Sequence, residues 1–489
     1  MPLRDMDREQ AWLLPPSLDD LLPLDHPARF VAEFVDALDR DGWAELGVEI
    51  EGDPMGAPAY HPRALLSVWL YGFMTGVRSC RKLETACRDQ IPYLWLTGWQ
   101  HPDHNTLWRF YKAHRQSMRK LFERTVRTAV TMRLLDLAVQ AVDGTKVSAN
   151  ASVYRTHNAE ELRKLLDRVE VAIRDLEAQN EAGEDTAAVH LPGQLADKEM
   201  LREQVRQAMA DLESKERQER INLTDGDARL MKTRGSVLLG YNAQAMVSPL
   251  EPDEGATGMF ITAVDMANDG RDDPQLVPMI EQAEETTGTR SEMTLADAAY
   301  HSGKGLEECA RRGQSVAMPE TRQRLLGDPY HKDRFTYDKR TDSFRCPQGQ
   351  RLEYLRIQRL NGVPWRLYRT SEGVCQACPA FGVCTRSHRF GRSVTIGPYD
   401  AALRHHRVWM STDEAWVAYK RRKQLVEPVF GIIKEQLAAR RFLLRGFANV
   451  SAEWTLLGTA FNLRTLWRVW HLGVFAGLLL RGPKPYFAS

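Results

Sequence analysis

The chain reads as a mixed α/β protein, with a central sheet and covering helices, an all-helical segment before it and two insertions within it. Three observations carry this reading. Residues 1 to about 135 repeat apolar positions at helical spacing. From Leu137 the composition turns small and β-branched, and strands then alternate with helices as far as Pro319. From Thr412 to about Trp470 the pattern is strongly helical again.

Each element follows from local chemistry. His61–Met74 is apolar throughout and stops near Gly76, Ser79 caps a short helix over Cys80–Asp89, and Asp103 precedes a long helix over Asn105–Met132. In that helix Leu107, Phe110, Tyr111, Met118, Leu121 and Phe122 recur near helical spacing. Short helix, turn and longer basic helix fit a helix-turn-helix DNA reader, and equally any helical bundle. Leu137–Val147, Tyr241–Val247, Met259–Val264, Met293–Ala296 and Ser315–Pro319 read as strands. Asp272–Gly288 and Gly303–Arg312 read as helices between them.

The first insertion is a helical hairpin. Leu162, Leu165, Leu166, Val169, Ile173 and Leu176 form one apolar stripe, Leu201, Val205, Met209 and Leu212 a second, with a polar loop between. It reads as a structural arm or dimer contact. The second insertion, about 320–410, holds four of the seven cysteines: Cys346, the C-x2-C pair Cys375 and Cys378, and Cys384. Four thiolates in two groups can close a structural zinc site, and reduced buried cysteines are the alternative.

Composition sets limits. The 489 residues suit two to four domains, with 43% hydrophobic and 27% charged residues, as in ordinary globular proteins. The net charge of +1 is silent on nucleic acid, but local charge is not. Asn105–Arg133 carries eight Lys/Arg against one acid, and Lys420–Arg468 ten against three. Such segregation suits polyanion binding, or two solvated helix faces. The N-terminal MPLRDMDREQAWLLPP lacks the pattern of a signal peptide, and the longest apolar run, Leu472–Leu480, is about half a membrane span. A cytoplasmic, nucleoid-associated protein without membrane contact is expected. Seven unevenly placed cysteines argue against a disulfide framework.

Three acids stand out. Asp143 (VDGTK) and Asp297 (LADAAYHS) each end an apolar strand, and Glu427 sits in the apolar and basic helix KRRKQLVEPVFGIIK. An acid at the end of a buried strand is costly unless solvent, a metal or a cation meets it. A converging carboxylate set is what Mg²⁺ or Mn²⁺ requires, and two such ions suit phosphoryl transfer. Each acid also has an ordinary reading. Asp143–Gly144 is a common turn dipeptide, Asp297 can cap the next helix, and Glu427 can pair with Arg422 or Lys423. Pro428 kinks its helix, aiming Glu427, or separates two helices.

At these residues the sequence resembles bacterial insertion-sequence transposases of the DDE class, over nearly the whole chain. YHPRALLSVWLYGFMTGVRSCRKLE and HPDHNTLWRF resemble the family's N-terminal helical domain. AVDGTKVSANAS, LADAAYHS and YKRRKQLVEPVFGIIK resemble its three acid motifs, and DARLMKTRGSVLLGYNAQAMV its second-strand region. The resemblance implies a ribonuclease-H-like five-stranded mixed sheet, with Asp143, Asp297 and Glu427 as catalytic metal ligands. It implies two Mg²⁺ (or Mn²⁺) ions, hydrolysis at terminal inverted repeats, and attack of the freed 3′ hydroxyl on target DNA. Double-stranded DNA is the implied partner, bound by a homodimer. Tyr419, Arg422 and Lys434 resemble the family's tyrosine, basic residue and lysine around the third acid. Lys423 fits the common spacing better than Arg422, so that role is open. Lys434, about two helical turns from Glu427, is expected on its face and against a phosphate. Further candidate DNA contacts are Arg81, Asn105, Arg109, Lys112 and Lys146.

The expected domains are a helical DNA-binding domain over 1–135 and a catalytic domain over 136–320 with the hairpin at 157–220. A cysteine-rich, zinc-ribbon-like insertion follows over 321–410, and C-terminal helices bearing the third acid over 411–489. A domesticated DNA-binding derivative, a metal-dependent nuclease without strand transfer and a zinc-dependent regulator are the rival readings.

Overall fold

Helices open the described chain. The computed structural model describes residues 16–50, 59–182, 191–214, 218–233, 235–251, 258–320, 327–360 and 362–471. Helices α1 (Pro27–Asp36), α2 (Arg40–Glu45), α3 (Pro62–Met74), α4 (Cys80–Asp89), α5 (Ile91–Thr97), α6 (His104–His114) and α7 (Met118–Thr131) come first. Asp103 caps α6 through the Thr106 N–H at 2.7 Å, as expected. Ser79 occupies the N-cap position of α4 but its side chain makes no cap hydrogen bond. The single helix expected over Asn105–Met132 is two, broken around Arg115–Ser117 so that both halves turn an apolar face inward.

Strand β1 (Val139–Ser148) matches the strand expected over Leu137–Val147 to within two residues, and Asp143 lies within it rather than at its end or in a turn. The short β2 (Thr156–Asn158) leads into α8 (Ala159–Ala182), α9 (Leu191–Ser214) and β3 (Arg220–Asn222), which pairs back with β2. Leu162, Val205, Ala208 and Ile221 form the small core of this hairpin, as its apolar stripes predict. Part of its connecting loop, and the apolar run Leu472–Leu480, lie outside the described residues.

The main sheet then completes itself. Strands β4 (Arg229–Thr233), β5 (Ser236–Pro249) and β6 (Met259–Ala267) precede α10 (Leu276–Thr287), β7 (Met293–Leu295), α11 (Gly303–Arg311) and β8 (Ser315–Ala317). The order is β4-β5-β1-β7-β8, with β6 also beside β5. β1 and β5 are antiparallel, while β1, β7 and β8 run parallel. The mixed α/β class is therefore correct, with the strands where alternation placed them.

A second, antiparallel sheet forms the cysteine-rich segment: β9 (Thr336–Asp338), β10 (Ser343–Arg345), β11 (Arg351–Leu360), β12 (Val363–Arg369) and β13 (Ser393–Ile396). Helices α12 (Asp400–Trp409), α13 (Asp413–Lys420), α14 (Arg422–Gly431) and α15 (Phe447–His471) end the described chain. No helix of the described residues is long and apolar enough to cross a membrane.

Two cores sandwich the main sheet. On one face Ala141, Ala243, Ala245 and Leu295 pack with α14, α15 and the N-terminal helices. On the other, Val142, Met246 and Ala263 pack against Leu276, Ile280 and Leu306 of α10 and α11. Successive strand residues face opposite ways, so the sequence of β1 sends Asp143 to the first face and Gly144 to the second.

Candidate active site

Asp143 and Asp297 meet because β1 and β7 are neighbours. Their register pairs Ala141 with Leu295, and two residues further along both parallel strands stand Asp143 and Asp297, on the same face. Asp297 is also the cap expected of it, accepting the Ala299 N–H at 2.8 Å at the start of a short 3-10 turn. Both side chains are half-buried.

The cation between them comes from α14. Arg422 is 8% exposed and donates from Nη1 to Asp143 Oδ2 at 2.9 Å. Its Nε is buried without a hydrogen-bond partner. Burial pushes the Asp143 carboxyl up to about 6, Asp297 adds to this, and Arg422 pulls it back down. Burial works against the Arg422 charge, yet the Asp143 carboxylate raises its pKa further. Lys434 belongs to the same locality. Burial and then Arg440 lower its pKa, against the pull of Glu435 and Asp143.

Glu427 stands apart. It is exposed on α14, and no ion pair with Arg422 or Lys423 is made. Among the described residues no group of three or more His, Cys, Asp or Glu is arranged to hold a metal ion. The expected convergence of all three acids is thus met by two. Pro428 does not divide α14, which runs on into a π-turn, Ile432–Gln436. Lys434, in that turn, is half-buried, and Glu427 is exposed.

The opposite face of the sheet holds a polar network that sequence reasoning missed. Asp272 Oδ1 accepts from Asn242 Nδ2 at 2.7 Å and from Gln244 Nε2 at 2.9 Å, and the Tyr300 hydroxyl donates to Gln244 Oε1. Gln244 and Tyr300 are fully buried. A Cβ at Gly144 would stand 2.4 Å from Gln244 Nε2 and 2.6 Å from Asp272 Oδ1, so any larger residue after Asp143 would have to displace this network. The signal was present in YNAQAMV, where two amides two residues apart interrupt an otherwise apolar strand.

The remaining candidates fall on surfaces. Asn105, Arg109 and Lys112 are exposed at i, i+4 and i+7 on α6, hence along one stripe. Arg81 is exposed on α4, which is tied to α6 by Glu84 and His104 at 2.7 Å. Lys146 donates to the Lys232 carbonyl at 2.9 Å. Tyr419 is half-buried one turn before Arg422, and Lys423 is exposed. Cys346, Cys375, Cys378 and Cys384 line one small cavity of about 20 Å³. The Cys375 thiol accepts the Arg392 N–H, and that of Cys346 the Gln350 N–H, both at 3.2 Å.

A family model described as a transposase DDE domain matches residues 345–467, and one described as a transposase domain matches residues 16–113. Together the two matches indicate a DDE-type insertion-sequence transposase. No curated protein matches it. The first match spans the four cysteines, α13, α14 and most of α15, and the second spans the helices that bear Arg81, Asn105, Arg109 and Lys112. Transposases of this family act on DNA, and their DDE domains generally use divalent metal ions. In this transposase Asp143 and Asp297 fit such an ion as a pair of adjacent, partly buried carboxylates. Glu427 does not stand with them.

Proposed function

We propose that this transposase binds the terminal inverted repeats of its element, cleaves the DNA there and joins the freed ends to target DNA. The observation that carries the proposal is the placement of Asp143 and Asp297 side by side under a helix that presents Arg422 and Lys434. The sheet order supports a ribonuclease-H-like reading, with β6, β5, β1, β7 and β8 as its five strands.

Asp143 and Asp297 are the residues proposed to hold Mg²⁺ or Mn²⁺, and Glu427, exposed on α14, is the third acid of the family pattern without standing beside them. When bound, such ions activate the attacking oxygen and stabilise the leaving one. The chain's own groups do the rest. Arg422 and Lys434 neutralise phosphate oxygens at the cleaved bond, and Tyr419 and Lys423 flank the same strand. Lys146, Arg81, Asn105, Arg109 and Lys112 hold the duplex on either side. A homodimer pairs the two ends. The four thiols line one small cavity and include a C-x2-C pair, which is the basis for proposing a structural, zinc-ribbon-like Zn²⁺ site there, although as placed they do not form a metal-holding group.

One observation favours a second reading. Glu427 is exposed, which suits a derivative that binds DNA without turning over. A single experiment separates the two. It measures Mg²⁺-dependent cleavage of a duplex carrying the element's terminal repeat by wild type, Asp143→Asn, Asp297→Asn and Glu427→Gln. Cleavage by wild type alone, releasing a 3′ hydroxyl at the repeat end, supports transposition. Binding by all four proteins with cleavage by none supports the derivative.

A further inference from the structure

We propose that the ribbon formed by β11 and β12 is a further DNA-binding surface, which enters a groove of the duplex and grips its backbone from both sides. The proposal rests on the reading of the chain as a DNA transposase and adds a surface to it.

Shape comes first. Strand β10 pairs with β11 only over Arg351–Glu353, and β13 pairs with β12 only over Arg366–Arg369. Beyond the pair Ile357 and Arg366, no third strand pairs with the described residues from Gln358 to Trp365, and the ribbon runs past the sheet that anchors it. From Glu353 to Leu360 every residue is exposed except Gln358, which is half-buried. Seven residues of strand from Tyr354 to Leu360 reach about 23 Å. A two-stranded β-ribbon is one of the shapes the major groove of B-DNA admits.

Charge comes second. Residues 335–397 hold eleven Lys/Arg against four Asp/Glu, in a chain whose net charge is only +1. Arg351 and Arg366 are paired with Glu353 and Asp342. Arg356 and Arg359 are exposed and form no ion pair among the described residues. Their spacing matters. Side chains alternate along a strand, so Arg356, with Gln358 and Leu360, lies on one face of the ribbon and Arg359, with Ile357, on the other. A ribbon that enters a groove edge-on, with β11 leading, then turns one guanidinium to each phosphate wall.

Leu355, Ile357 and Leu360 are also exposed, at 50%, 58% and 49%, which raises a protein as the other occupant. The two arginines decide against it. An apolar partner would strip water from two uncompensated guanidinium groups, whereas phosphate oxygens match them with charge-assisted hydrogen bonds.

The test uses the full chain and two duplexes, one with the terminal repeat and one without, with the dissociation constant measured as a function of salt. The variant Arg356→Ala/Arg359→Ala, checked by circular dichroism for an unchanged fold, is expected to bind both duplexes more weakly. Its log–log salt slope should fall by about 2, at roughly 0.9 for each phosphate no longer neutralised. Arg356→Lys/Arg359→Lys should restore the slope. An unchanged slope in the alanine variant, while wild type binds the duplex, overturns the ribbon proposal and leaves the transposase reading intact. A wild type that binds neither duplex overturns both. A shift of self-association in Ile357→Ser/Leu360→Ser, with DNA binding untouched in the alanine variant, assigns the ribbon to protein contact and also overturns the proposal.

Discussion

Arg422 and Asp143 are hydrogen-bonded at 2.9 Å although 279 residues separate them, and the arginine occupies the side of the carboxylate that faces α14. The pair is largely withdrawn from water, with side-chain exposures of 9% and 19%. Its effect on the site is opposed to that of burial. Arg422 keeps Asp143 ionised, and Asp143 keeps Arg422 from the phosphate it is proposed to meet.

Arg422→Gln should therefore act in two directions. Loss of the guanidinium removes a cause that lowers the Asp143 pKa, so the acid limb of cleavage moves to higher pH. At a pH above the acid limb of both proteins, Mn²⁺ should bind the variant more tightly, because no cation competes for Oδ2. Mn²⁺ titration followed by electron paramagnetic resonance below and above that limb checks both. Equal affinity of wild type and variant above it would show that Arg422 does not compete with the metal.

The raised pKa of Asp143 has a consequence for stability. Its value rises from 3.8 to about 6 on folding, so the folded state takes up the proton between these limits. This contribution to stability is complete below pH 3.8 and is lost as pH rises through about 6. At 1.36 kcal/mol per unit it amounts to up to ~3 kcal/mol. Asp143→Asn cannot titrate. The stability of wild type relative to this variant should thus decline between pH 4 and pH 7, measured by urea unfolding. A difference that stays flat over that window rules out the perturbed carboxyl.

Asp297→Asn should abolish cleavage, by at least about a thousandfold, and leave duplex affinity within about threefold of wild type. The amide keeps the size of the side chain and the capping bond to Ala299, so the fold is not the readout. Gel-shift and cleavage assays on the same preparation provide the check. Parallel loss of binding and cleavage would place Asp297 in the fold rather than in the chemistry.

Much of this was readable in the chain, and the parts that were not share a cause. Strand and helix positions followed from the apolar period, and Asp143 and Asp297 were recognisable as acids in apolar surroundings. The π-turn at Ile432–Gln436 was not, because it has no signature in hydrophobic spacing. Asp272 reads as the first residue of a helix until Asn242 and Gln244 are seen to converge on it. The break between α6 and α7 was hidden because both halves keep a compatible apolar period. Tertiary partners decided each of these cases.

The pairing of Arg78 with Glu453 was likewise invisible, since 375 residues lie between them. Both are buried. Arg78 also donates to the carbonyls of Ala438 and Arg441, and Glu453 accepts the N–H groups of Leu443 and Leu444. The pair therefore fixes the segment that follows Lys434 to the N-terminal helices. Burial raises the Glu453 pKa and Arg78 opposes it, so an unpaired Glu453 is a buried charge without compensation. Arg78→Met should cost about 3–5 kcal/mol. The double variant Arg78→Met/Glu453→Leu should recover a substantial part of that loss. Thermal unfolding of the single and double variants measures the coupling, and additive losses would show that the ion pair is not what holds this segment.

The last prediction concerns the four thiols around the small cavity. Burial raises the Cys384 pKa, Arg392 opposes it, and the neighbouring Cys346, Cys375 and Cys378 raise it further. Without a cation, then, this group is a protonated thiol at neutral pH. Zinc binds thiolates, so its binding must release protons and must weaken as pH falls. The purified chain should carry one zinc per molecule, with affinity dropping steeply from pH 8 to pH 6 in a competition with a chromophoric chelator. Cys375→Ser, which alters the buried member of the C-x2-C pair, should lose the zinc and lower the melting temperature. Thiol labelling supplies an independent readout: removal of zinc should expose all four cysteines to a disulfide reagent. Labelling that proceeds at the same rate with and without chelator, in a chain free of zinc, would reduce the cluster to four ordinary cysteines in a small apolar cavity.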